Sequence, residues 1–97
     1  MYYAVIFTST RTEIKEGYNE MAQKMEALAK LQPGFISIES ARNEIGITIS
    51  YWENLEAIRN WKSNIDHLFA QKKGKTTWYK NYKVRIAKIE REYDFGF

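Results

Sequence analysis

The chain of 97 residues has no cysteine and a single histidine, His67. Without thiols there is no disulfide scaffold, thiolate zinc site, iron–sulfur cluster or cysteine nucleophile. One imidazole excludes any multi-histidine metal site. Long apolar runs are missing as well. None approaches the ~20 residues that cross a bilayer, so no membrane partner is expected. The chain opens directly on Tyr2-Tyr3-Ala4-Val5-Ile6-Phe7. No basic leader, long apolar segment or cleavage site precedes it, and a cytoplasmic location is the expectation. Glycine-rich phosphate loops, nucleophile elbows and metal-ligand spacings are also lacking. Glu13, Glu16, Glu20 and Glu26 read as solubilising charge, with Glu16 and Glu20 repelling each other one helical turn apart.

What the chain has is rings. Aromatics make up 15% of the residues, with seven Tyr, five Phe and three Trp, which suggests a lined cavity, a partner interface or both. With 44% hydrophobic and 28% charged residues, the composition is globular and the length fits one domain, residues 1–97. The net charge of +3 is unevenly placed. Lys72, Lys73, Lys75, Lys80, Lys83, Arg85 and Lys88 have no acid among them. An anionic partner is one reading; a solvated helix face followed by an edge strand is the plainer one.

Tyr2 to Thr10 is apolar, β-branched and aromatic, and reads as a strand. Thr12 is placed to cap a helix in which Ile14, Tyr18, Met21, Met25 and Leu28 recur at steps of four and three. The single proline, in Pro33-Gly34, stops that helix. Phe35 to Arg42 and Ile45 to Trp52 are strands joined across Asn43-Glu44. In the second of them Ile45, Ile47, Ile49 and Tyr51 share one face, and Gly46, Thr48, Ser50 and Trp52 the other. Glu53 or Asn54 opens a second helix with Leu55, Ile58 and Trp61 on one side, and Ser63 or Asn64 is expected to break and restart it. Lys83 to Arg91 reads as the last strand.

This order, β-α-β-β-α-β with the second helix broken, is the α+β ferredoxin-like arrangement. Two helices cover one face of a four-stranded sheet. The other face is too apolar to stay wet, so a sheet-to-sheet homodimer is expected. RNA-binding domains share the topology but need exposed rings on the third strand. That strand carries Ile47, Thr48, Ile49 and Ser50 at its interior positions, and no nucleic acid partner is expected.

Candidates for chemistry are few. On a helix from Asn64 to Trp78, His67, Gln71, Gly74 and Trp78 fall within about 40° of one another. They would form a ligand-facing stripe with His67 as general base or axial heme ligand, or else a plain exposed helix face. Trp52 and Trp61 wall a pocket for a flat aromatic ligand, or pack in the core.

Gln32-Pro33-Gly34-Phe35, Glu39-Ser40-Ala41-Arg42, Gly46 to Trp52 and Ala57-Ile58-Arg59-Asn60-Trp61-Lys62 resemble the antibiotic biosynthesis monooxygenase (ABM) domain family, over nearly the whole chain. The resemblance implies a dimeric α/β barrel, each protomer keeping a cavity between its helices and its own sheet. It implies an oxygenase acting on an aromatic, quinol-like small molecule without metal or flavin. His67 and Trp61 would then be catalytic, with Phe7, Trp52, Gln71 and Trp78 around the substrate. Heme-degrading relatives use an Asn on the first strand, a Trp on the second helix and a His ten positions later. Here Trp61 matches, Gln71 stands at the His position, and Phe7, Thr8 and Ser9 offer no Asn. A heme cofactor is thus the lesser alternative, beside a non-catalytic ligand-binding or stress-related barrel.

Overall fold

A computed structural model describes the backbone of residues 1–72 and 78–97 and the side chains of 1–66 and 78–97. In chain order the elements are β1 (Tyr2–Arg11), α1 (Tyr18–Lys30), β2 (Phe35–Arg42), β3 (Gly46–Trp52), α2 (Leu55–Lys72) and β4 (Tyr79–Ile89). The strands form one antiparallel sheet in the order β2-β3-β1-β4. This is the α+β ferredoxin-like arrangement expected from the pattern of periods.

Register decides which residues see the helices. Tyr3, Val5, Phe7 and Ser9 of β1 stand opposite Trp52, Ser50, Thr48 and Gly46 of β3. The next strands add Ile38, Ser40 and Arg42 on one side and Tyr82, Val84 and Ile86 on the other. Both helices pack on this face. Ala29 of α1 and Ala57, Ile58 and Trp61 of α2 close over Trp52, which is 0% exposed. A second cluster joins Met21 to Trp78 and Tyr79, with Phe7 and Tyr18 against it. The small, polar side of β3 therefore faces the helices. Its isoleucine side looks away, with Ile47 42% exposed and Ile6 and Ile49 paired across the strands beside it.

Two helix boundaries differ from the sequence expectation. The first helix starts at Tyr18, not near Thr12. Thr12 Oγ1 instead accepts a hydrogen bond from the Ile14 N–H at 3.2 Å, a local turn that competes with helix. Gly17, at φ 79°, then launches α1. Ile14 consequently lies outside the apolar stripe and is exposed. The second helix is unbroken at Ser63 and Asn64. Asn64 Nδ2 donates to the Asn60 carbonyl at 2.9 Å and to Gln32 Oε1 at 3.3 Å, while Lys62 pairs with Asp66 at 2.8 Å. These contacts hold the backbone helical where the sequence offered a restart. The N-cap expectation was sound, since Asn54 Oδ1 accepts the Ala57 N–H at 2.8 Å. Leu55, placed beside Ile58 and Trp61 by periodicity, is exposed instead.

The Pro33-Gly34 turn sets the distance between the helices and β2. Gly34 has φ 86°, and a Cβ there would meet Ala57 Cβ at 2.7 Å. A side chain would push α2 off the sheet. The basic run of the last strand lies on the exposed edge of the sheet, where Lys80, Lys83, Arg85 and Lys88 are solvated. Lysines on an edge strand discourage strand addition by another chain.

Candidate active site

A cavity of about 790 Å³ lies between the helices and the inner face of the sheet. Gly46, Thr48 and Ser50 of β3 put small groups on its floor, with Ile47 also at its edge. Large residues at those positions would have filled it. Val5, Phe7 and Val84 extend the floor, and Met25, Ile58, Trp61 and Ile65 form the helical side.

Trp61 is held from behind. Its ring stacks on Trp52 with centroids 5.8 Å apart and planes at 27°. Trp52 in turn meets Phe35 edge-on at 5.5 Å, and its Nε1 donates to Ser50 Oγ at 2.8 Å. Trp52, expected as a pocket wall, is therefore core that backs the wall, being fully buried and away from the cavity surface. Trp61 and Phe7 both line the cavity. Trp78 does not; its Nε1 donates to the Glu16 carbonyl at 2.8 Å, and its ring meets Tyr18 edge-on. It fastens the start of α1 to the end of the sheet. The side chains of His67 and Gln71 lie outside the described residues, as does Gly74.

One end of the cavity is polar, and sequence reasoning missed it. Arg42, at the end of β2, donates to Ser9 Oγ at 2.5 Å. Arg11, at the end of β1, places its guanidinium 3.6 Å from the Tyr18 ring centroid, a cation–π contact. Tyr79, Tyr18 and Tyr82 stand beside them. Burial pushes the Tyr79 phenol well above the ordinary tyrosine range, and a hydrogen bond with Tyr18 adds to the rise. The charges of Arg42 and Arg11 oppose it without overcoming it. Tyr79 is thus a neutral hydrogen-bonding group at neutral pH, not a base. The only signal in the sequence was the β1 alternation, which puts Ser9 and Arg11 on the same side as Phe7.

Among the described residues the cavity carries no imidazole; its donors are the Met25 thioether, phenols and the carboxylates of Glu26, Glu39 and Asp66, and the elevated Tyr79 works against a phenolate ligand. Nor is there, among the described residues, a group of three or more His, Cys, Asp or Glu able to hold a metal ion.

No protein-family model matches the chain. The uncharacterized protein YqjZ of Bacillus subtilis (strain 168) is 46% identical over 93 residues, spanning 94% of this chain and 82% of that protein. The chain belongs to the same family as YqjZ. Among solved structures, a point mutant of SnoaB, a cofactor-independent oxygenase of Streptomyces nogalater, matches with a TM-score of 0.76 at 13% identity, over 94% of this chain and 95% of that one. A point mutant of MhuD, with two manganese protoporphyrin IX bound per active site, gives a TM-score of 0.69 at 14% identity, over 96% and 99%. A Bacillus cereus protein, named as a candidate antibiotic biosynthesis monooxygenase, gives 0.64 at 20%, over 97% and 98%. This relative of YqjZ thus has the ABM fold expected from the Pro-Gly-Phe turn and the two tryptophans. No helix among the described residues is long and apolar enough to cross a membrane.

Proposed function

We propose that this YqjZ-family chain is a small cofactor-independent oxygenase of aromatic, quinol-like molecules. The observation that carries the reading is the cavity floored by Ser50 and Thr48 and walled by Trp61 and Phe7, whose rings match a flat ligand. The likeness in fold to SnoaB, a cofactor-independent oxygenase, supports the same chemistry.

In that chemistry a base removes a proton from the bound phenol or its keto tautomer, and the delocalised carbanion gives its electrons to O2. A C–O bond forms, the peroxide O–O bond breaks with loss of water, and a CH2 carbon becomes a carbonyl. One oxygen atom stays in the product and the other leaves as water. The protein has to orient the ring, exclude water and hold a proton. Trp61 and Phe7 supply dry walls, Tyr79 donates a hydrogen bond to the developing oxyanion, and His67 on α2 serves as the base. Gln71, one turn beyond His67, would add a polar contact to the substrate.

The functional unit in this reading is a homodimer closed sheet to sheet. Ile6, Ile47 and Ile49 lie on a face that no described helix covers, and a second copy would bury them, leaving the cavities on the outer side.

Oxygen uptake tests the reading. Wild-type protein with anthrones and naphthohydroquinones should consume O2 with dialysed, metal-free material, and His67→Ala should slow it at least tenfold. Ligand-dependent stabilisation without O2 uptake would assign the cavity to binding alone. Unchanged uptake in His67→Ala would remove that base.

A further inference from the structure

The polar end of the cavity assigns the ligand's charge. Resting on the reading of this cavity as a small-molecule site, we propose that it takes aromatic molecules bearing a carboxylate, with the anionic group at Arg11 and Arg42 and the rings against Trp61.

The topology builds this pole from distant parts of the chain. Across one row of the sheet run Arg42 of β2, Gly46 of β3, Ser9 of β1 and Tyr82 of β4; Arg11 and Tyr79 pair in the row beyond. Gly46 is what lets Arg42 lie inward, because a Cβ at that position would collide with its guanidinium. Arg42 so placed bonds to Ser9, a neutral hydroxyl. The Arg11 Nε is buried with no hydrogen-bond partner, and a buried charged donor left unmade is costly. A carboxylate entering the cavity would satisfy it.

The acids lining the cavity are engaged elsewhere. Glu26 pairs with Lys30 at 3.3 Å and Asp66 with Lys62 at 2.8 Å, and Glu39 accepts the Tyr51 hydroxyl at 2.9 Å. Neither arginine forms an ion pair among the described residues. Two guanidinium groups beside phenol donors and an apolar chamber match the fork geometry of a carboxylate on a ring.

The experiment compares 1-hydroxy-2-naphthoate with its neutral amide, two ligands of one shape, by fluorescence titration at two salt concentrations. The acid should bind at least tenfold more tightly than the amide. Arg42→Met, a change at an exposed side chain, should reduce that preference to threefold or less while leaving amide affinity nearly unchanged. Arg11→Met should do likewise. Equal affinity for acid and amide, or a preference that survives both substitutions, would overturn the anion pole while leaving the cavity reading intact. Binding of neither ligand would overturn the cavity reading and the pole together.

Discussion

Replacing Gly46 by alanine moves one functional group and little else. Gly46 begins β3 without a positive φ, so the backbone accepts an L side chain. The obstacle is the Arg42 guanidinium, which occupies the place of the new methyl group. As the far end of a flexible side chain, it swings out. The Arg42–Ser9 hydrogen bond is then lost, a cost of about 1–1.5 kcal/mol for a bond to a charged group that is partly solvated. Against this, alanine in a strand recovers about 0.5–1 kcal/mol relative to glycine. The net destabilisation is about 1 kcal/mol or less, a fall in Tm of no more than about 4–8 °C in a chain this small. The functional effect should be larger, with the preference for naphthoate over its amide falling to that of Arg42→Met. Urea melts and paired titrations measure both quantities. A stability loss above about 3 kcal/mol would show that Arg42 is pinned by more than Ser9, and an intact acid preference would show that it does not face the ligand.

Trp52→Ala should cost about 3–5 kcal/mol by urea denaturation, since it empties a fully buried site and strips Ser50 of its donor; a cost under 1 kcal/mol would return Trp52 to the cavity wall. Alkaline pH should weaken the fold. Tyr79 and Tyr51 are raised by burial first, and Tyr2 is pushed up to about 12, mainly by its hydrogen bond to Glu92. The folded chain therefore keeps protons that the unfolded chain releases near pH 10, so their contribution is complete below that pH and declines as pH rises beyond it. Phenolate absorbance should therefore develop later in the folded protein than in the urea-unfolded chain, and coincident folded and unfolded titration curves would contradict it. Ile49→Lys, on the uncovered sheet face, should shift sedimentation from twice the 11.5 kDa chain mass to the single chain with the cavity ligand still bound. A wild-type monomer at micromolar concentration would refute the dimer directly.

Most of the architecture was legible because periodicity reports it. Alternation on β3 correctly separated Ile47, Ile49 and Tyr51 from Thr48, Ser50 and Trp52. It could not say which side the helices would take, and that choice makes Trp52 core and Ser50 floor. Helix ends were read less well, because Thr12 and Asn64 carry side chains that serve turns, caps and helix interiors alike; only their partners, Ile14 and Asn60, decide. Trp61 and Phe7, which the sequence singled out, line the cavity. The pole was not, because Arg11 and Arg42 meet only through the β2-β3-β1 register, and nothing in either neighbourhood marks them as a pair.

In the proposed oxygenase a flat aromatic guest sits between the helices and the sheet. Intermolecular NOEs to bound 1-hydroxy-2-naphthoate test it most directly. Contacts from the ligand ring to the Trp61 indole, Phe7 and the Val5 methyl groups are expected. Contacts to Ile6 and Ile49 on the opposite face, with none to Trp61, would contradict it.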